Sequence, residues 1–257
     1  MSQIVLDVDT VWSSTEGQGR PLLVLHGWGM NQAAWQPIRA HLTQHARVTW
    51  VDLPGHGRSA VDQLGTLEQL VQTLKPLIQP NTAIIGWSLG GLLAQALAYA
   101  MPDKVARLLL IGSSPCFIQT PTWPHALAPE VLEQFATNLE TDYVATVKRF
   151  FALQFMGTRH SPVELNQLRD AILQYPARLP ALHQGLELLR SVDFSEQTLP
   201  VPSRWILGRL DKLVPVAVAE VLEHKGYEVK VLPHASHVPF VTHTEEFLAA
   251  VEPFIYE

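Results

Sequence analysis

The stretch Gly86-Trp87-Ser88-Leu89-Gly90 brackets one hydroxyl with glycines, after the apolar run 82–85 and before the helix-forming run 89–100. A G-x-S-x-G turn between strand and helix strains the serine backbone and needs small neighbours. In return the hydroxyl stands exposed at a helix N-terminus, where N–H groups favour developing negative charge. The competing role is an ordinary N-cap serine; the preceding strand and the flanking glycines favour a nucleophile. A serine hydroxyl attacks poorly until a base takes its proton. Of the eleven histidines, His237 stands in PHASHVPF, a loop after the predicted last strand (228–232) and before a predicted final helix. That helix is expected to start near Thr242, because Thr242 and Glu245 have capping-box spacing. His234 is the rival, closer to the strand end. No other His, Cys or Asp cluster supplies a third ligand beside His234 and His237, so neither a metal nor any other cofactor is expected.

A base of this kind needs a carboxylate to fix its tautomer and stabilise its charged form. Asp211, in LGRLDKLVP directly after the apolar run RWIL, is the first candidate. Asp193 ranks second, because it follows a helical pattern and not a strand. Asp52 precedes the serine, whereas an elbow of this type runs serine, acid, histidine along the chain. The oxyanion of a tetrahedral intermediate needs donors: the N–H after the nucleophile, from Leu89, and one from a loop after an early strand. LHGWGM (25–30) supplies that loop, with the Trp28 N–H as second donor and Gly27 and Gly29 permitting close backbone approach. His26 is expected to hold the loop and not to move protons. Trp28, Trp87, Phe150 and Phe151 could line an apolar slot. Cys116, lacking a paired base in its sequence context, reads as a small packing residue.

The elements that must position these groups are apolar runs bounded by turn signals: 21–27, 46–55, 82–88 and 105–114, then 204–211 and 227–237. Near-continuous apolar runs suit a parallel sheet covered on both faces, and helical patterns such as 67–78 and 89–100 lie between them. The alternation stops over residues 115–199. Val131, Leu132, Phe135 and Leu139 recur at helical spacing, and Val144, Val147 and Phe151 continue it. The expectation is a core of residues 1–114 and 200–257 with a helical insertion, 115–199, lying over the sheet end as a cap. Its Pro-rich start, PTWPHALAP, reads as a stiff connector.

Composition sets the outer limits. The chain has 257 residues, enough for a full core, with 47% hydrophobic and 16% charged residues. A net charge of −6 argues against nucleic acid, whose phosphates require a basic face. One cysteine excludes an internal disulfide framework and suits a reducing cytoplasm. The start, MSQIVLDVDTVWSSTEG, has acids where a signal peptide needs bases, and no apolar run is long enough to span a membrane. A cytoplasmic monomer without membrane attachment is expected.

HGWG, DLPGHGRS, GWSLGG, GRLDKLVP and the His237 loop occur in the order found in the α/β-hydrolase superfamily, which the chain resembles. LHGWGMN, GWSLGGLLA, SSPCF, RFFALQFMGT and GLELLRSVD are similar to the BioH family, the pimeloyl-acyl-carrier-protein methyl ester esterases of biotin synthesis. The resemblance covers much of the chain, the insertion included. It implies an α/β-hydrolase fold, a Ser88–Asp211–His237 triad acting through an acyl-enzyme, and an oxyanion hole at Trp28 and Leu89. By the same resemblance Trp28, Ser88, Leu89, Phe150, Phe151, Ala152, Leu153, Gln154 and His237 contact substrate. Lys148, Arg149, Arg159 and Arg169 are the basic residues available for an acidic acyl carrier protein. Only Arg149 sits in the matching motif; the family's other arginine positions are not kept. The alternatives are a broad short-chain carboxylesterase, a C–C bond hydrolase or perhydrolase with the same triad, and a non-catalytic binding module.

Overall fold

In a computed structural model, which describes residues 6–159 and 161–256, the expected runs become strands flanked by helices. The strands are β1 (Ser13–Glu16), β2 (Pro21–Leu25), β3 (Arg47–Val51), β4 (Thr82–Trp87), β5 (Val105–Ile111), β6 (Ser203–Gly208) and β7 (Glu228–Leu232). They form one sheet in the order β1-β3-β2-β4-β5-β6-β7. All neighbours are parallel except β1, which runs antiparallel to β3 with Ser13 opposite Val51. This is the mostly parallel sheet of an α/β-hydrolase fold. β1 escapes a hydrophobicity reading because its sequence is SSTE and its side chains are mostly exposed. It is an edge strand with no second face to bury.

The helices are α1 (Gln36–His45), α2 (Leu67–Leu74), α3 (Leu89–Ala100), α4 (Pro129–Thr141), α5 (Tyr143–Leu153), α6 (Pro162–Leu173), α7 (Leu179–Ser191), α8 (Val218–His224), α9 (Pro239–Thr242) and α10 (Thr244–Ile255). α3 is buried from Leu89 to Ala98, which is why its sequence is apolar all round and not striped. α2 opens with a capping box between Thr66 and Gln69. It gives way at Lys75, ahead of Pro76, to a short 3₁₀ turn, so the expected helix 67–78 is shorter than its apolar pattern.

Helices α4 to α7 occupy the stretch between β5 and β6, and no strand interrupts them among the described residues. Three details there and beyond differ from expectation. The apolar stripe beginning at Val131 is two helices: Asp142 ends α4 and caps α5, its Oδ1 accepting the Ala145 N–H at 3.0 Å. Val131 and Val144 consequently face solvent, while Leu132, Leu139, Val147 and Phe151 face the core. PTWPHALAP, expected as a stiff connector, is a closed loop. It closes on itself through Gln119 N–H to Leu127 O (2.9 Å) and Leu127 N–H to Phe117 O (3.0 Å). Its anchor is the buried Trp123, whose indole donates to Ser114 Oγ at 3.1 Å. Finally, α10 begins at Thr244, not Thr242; Thr242 ends α9 and its hydroxyl donates back to Val238 O instead of capping.

Candidate active site

Ser88 follows the last residue of β4 and precedes the first of α3, with φ +55° and ψ −119°. A non-glycine residue held there stores strain on the order of 1–3 kcal/mol. The surroundings enforce it. Ser88 N–H donates to Ile111 O at 2.9 Å, and Ser88 O accepts from Gly91 N–H and Ser113 Oγ, both at 2.9 Å. A Cβ on Gly86 would collide with Gly90, and one on Gly90 would collide with the carbonyls of Leu25 and His26. The Ser88 side chain makes no cap hydrogen bond, which removes the N-cap role.

Asp211 emerges beyond β6 and His237 beyond β7. His237 Nδ1 donates to Asp211 Oδ2 at 2.8 Å, both side chains being buried. The other carboxylate oxygen accepts the N–H groups of Leu213 (2.7 Å) and Val214 (3.0 Å). A carboxylate that accepts two backbone N–H groups is an acceptor toward His237 as well, so Nδ1 carries a proton in this contact. Nε2 is buried and has no hydrogen-bond partner among the described residues. The Trp87 indole donates to His237 O at 3.0 Å and fixes the loop from below. Gly112, at φ +47°, leaves room for the ring; a Cβ there would sit 3.0 Å from Nδ1.

The rivals lie elsewhere. His234 is exposed. Asp193 is exposed, accepts the Ser195 N–H at 2.7 Å, and pairs across the backbone with Cys116. Asp52 is buried and accepts the Gln32 (2.7 Å) and Arg58 (2.9 Å) N–H groups, a clamp between two loops. Burial raises its carboxyl above the usual range. Cys116 donates to Ile118 O at 3.1 Å, and burial pushes its thiol up to about 11.

The loop after β2 lies beside the elbow: a Cβ on Gly27 would be 3.2 Å from that of Ser88. Among the described residues the Trp28 and Leu89 N–H groups have no protein acceptor. Two buried histidines hold this loop. His26 Nδ1 donates to Gly27 O at 2.8 Å and Nε2 accepts the Leu53 N–H at 2.9 Å. His56 Nδ1 donates to Pro54 O at 3.0 Å, and Nε2 accepts the Gly29 N–H at 3.3 Å. Both rings are therefore neutral; burial lowers His26 to about 4 and His56 to about 3. From the sequence only His26 is expected to hold this loop; the signal for His56 is the glycine-flanked His in DLPGHGRS.

The helical segment roofs the site through Trp28. The Trp28 indole donates to Leu182 O on α7 at 2.8 Å and meets Phe150 of α5 edge-on, centroids 4.6 Å apart. Gly185 is required beneath the ring, since a Cβ there would come within 2.6 Å of Trp28 Cδ1. Phe135 of α4 joins the cluster, 5.7 Å from Phe150. Phe151 is buried against Phe155, Gln154 is buried with Oε1 unpaired, Leu153 is half-buried, and Ala152 faces solvent. Lys148, Arg149 and Arg159 are exposed, and Arg169 is tied to its neighbour Asp170 at 2.9 Å. Among the described residues no cluster of three metal-ligating side chains occurs, and no helix is long and apolar enough to cross a membrane.

A strained serine at a helix N-terminus, unpaired backbone donors nearby and a carboxylate-oriented imidazole are together suited to acyl transfer. Known proteins show what the whole chain is similar to. Residues 22–250 match the sequence model described as "Alpha/beta hydrolase family". A pimeloyl-acyl-carrier-protein methyl ester esterase of Pseudoalteromonas atlantica is 38% identical, covering 93% of this chain and 95% of its own. One of the same name from Photobacterium profundum is 40% identical, covering 94% and 96%. Among solved structures, an esterase from Exiguobacterium antarcticum superposes with a TM-score of 0.87 at 21% identity over the whole of both chains, a likeness of fold.

Proposed function

Because the chain belongs to the alpha/beta hydrolase family, we propose that it is a carboxylic ester hydrolase that cleaves the methyl ester of pimeloyl-acyl-carrier protein in biotin biosynthesis. The observation that carries the substrate is its likeness, at 38–40% identity over more than nine-tenths of the chain, to esterases named for that reaction. The chemistry rests on the hydrogen-bonded Asp211–His237 pair, whose histidine carbonyl accepts from the indole of Trp87, the residue next to the strained Ser88.

In this reading Ser88 Oγ attacks the ester carbonyl as His237 Nε2 takes its proton. The tetrahedral oxyanion is met by the N–H groups of Trp28 and Leu89, each such donor being worth about a hundred- to a thousandfold in rate. His237 then gives the proton to the departing methoxide oxygen, releasing methanol and leaving a pimeloyl ester on Ser88. Water, deprotonated by His237, attacks that acyl-enzyme and frees the carboxylate together with Ser88. Asp211 stays ionised and stabilises the imidazolium at both stages. Phe150 and Phe151, with Leu153 and Gln154, would line the acyl path under the helical cap; Ala152, on the solvent side of α5, would act only through backbone.

The test is growth rescue on biotin-free medium in cells lacking their biotin-pathway methyl esterase, run beside turnover of carrier-bound methyl pimeloyl ester. Rescue by the wild type and none by Ser88→Ala is expected. Turnover of short p-nitrophenyl esters without rescue would leave a broad short-chain carboxylesterase as the function.

A further inference from the structure

Residues 143–159 contain no Asp or Glu, yet carry Lys148, Arg149 and Arg159, all exposed. On α5, Ala145, Lys148, Arg149 and Ala152 are spaced to share one face, and all four are exposed, opposite the buried Val147, Phe150 and Phe151. The face is basic, bordered by alanines too small to obstruct a partner, and it runs on to Met156, half exposed. The turn that follows meets the core: a Cβ on Gly157 would lie 3.6 Å from Leu210 Cδ1, ordinary contact distance. Leu210 is flanked by Arg209 and, one residue past Asp211, by Lys212, both exposed. The only acid on residues 203–215 is Asp211, which is buried against His237. Among the described residues none of Lys148, Arg149, Arg159, Arg209 and Lys212 forms an ion pair.

We propose that Arg209 and Lys212, on the loop that carries Asp211, join Arg159 and the Lys148–Arg149 face of α5 in one docking surface for an acidic carrier protein. The partner then rests on the sheet core as well as on the helical segment. This rests on the reading that the ester arrives on acyl carrier protein. An acidic partner is repelled by the rest of a chain of net charge −6 and can approach only where the local field is positive. Arg209 and Lys212 follow β6, at the sheet end where the loops bearing Ser88, Asp211 and His237 emerge, which is where ligands of open α/β sheets bind.

Lys212→Glu tests the core half, because among the described residues the exposed Lys212 forms no ion pair; Arg149→Glu tests the cap half. kcat/KM is measured for carrier-bound methyl pimeloyl ester and for free dimethyl pimelate, at low and physiological salt. Each variant is expected to lose about fivefold or more on the carrier-bound ester, mostly through KM, with a flatter salt response, and to keep its rate on the free diester. Loss with Arg149→Glu alone would confine docking to the cap and overturn the proposal. Equal loss on both substrates by Lys212→Glu would assign the effect to a disturbed Asp211 loop, and overturn it too. If the wild type ignores the carrier-bound ester but cleaves the free one, the functional reading fails first and the surface loses its partner with it.

Discussion

At Ser88 three separate contacts hold one residue in a conformation it would not choose: the Ile111 carbonyl, the Ser113 hydroxyl and the glycines on either side. A phosphonate or sulfonyl fluoride should add its mass to the peptide containing Ser88 and abolish activity. Adduct on another residue, with Ser88 unlabelled, would refute the assignment. Ser88→Ala should leave the residual turnover that an oxyanion hole and binding supply without a nucleophile. Asp211→Asn keeps the hydrogen bond but lets the imidazole adopt the wrong tautomer, and kcat should fall by about 10⁴ with KM little changed. Asp193→Asn should be neutral, since Asp193 faces solvent beside Cys116. A reversed outcome between those two variants would transfer the role to Asp193. The buried His26 and His56 give a prediction in pH. Their folded values, about 4 and about 3, lie below the ordinary histidine value near 6.5. Between those limits the unfolded chain takes up protons that the native rings refuse, so stability falls as pH falls. His26 alone accounts for on the order of 3 kcal/mol across the window. The raised carboxyl of Asp52 works in the opposite direction and recovers part of it. The urea midpoint should therefore drop between pH 7 and pH 5; equal midpoints would mean these rings are not neutral in the native state.

At the scale of elements, the roof over the site depends on close approach between α7 and the loop after β2. Gly185→Ala should push Trp28 off its bond to Leu182 O and cost more activity than the same change at the exposed Gly226, where a Cβ meets nothing and the cost is the backbone strain of φ +85°. Urea melts give the stability each variant loses, and equal activity of the two variants would contradict the contact. Strands β2, β4, β5 and β6 and helix α3 were legible in the sequence because central parallel strands carry apolar runs and α3 is walled in on all sides. β3 (RVTWV) and the edge strand β7 (EVKVL) alternate polar and apolar residues and were legible from the apolar half. The triad candidates were legible because each stands just after such a strand. What stayed hidden was whatever hydrophobicity does not encode. β1 is polar and lives on an edge, the α4–α5 break is made by one aspartate, and the loop at 119–127 closes by backbone bonds around Trp123. The capping box at Thr242 had the right spacing, but the chain is already turning through α9 there.

Across the whole molecule, the two ends of the helical segment are tied to each other by backbone, and Cys116 sits at that tie. It lies just past β5, bridged to Asp193 at the far end of the same segment, with its sulfur bonded to Ile118 O. It is also the only cysteine in the chain. A thiol held at about 11 and shielded from solvent has almost no reactive thiolate at neutral pH, so a disulfide reagent can reach it only when this junction parts. The rate of its labelling in native buffer is then a clock for how often the two ends of the roof come apart from each other. If the roof lifts to admit substrate while its root stays fixed, that clock should run at the pace of global unfolding, however fast the enzyme turns over.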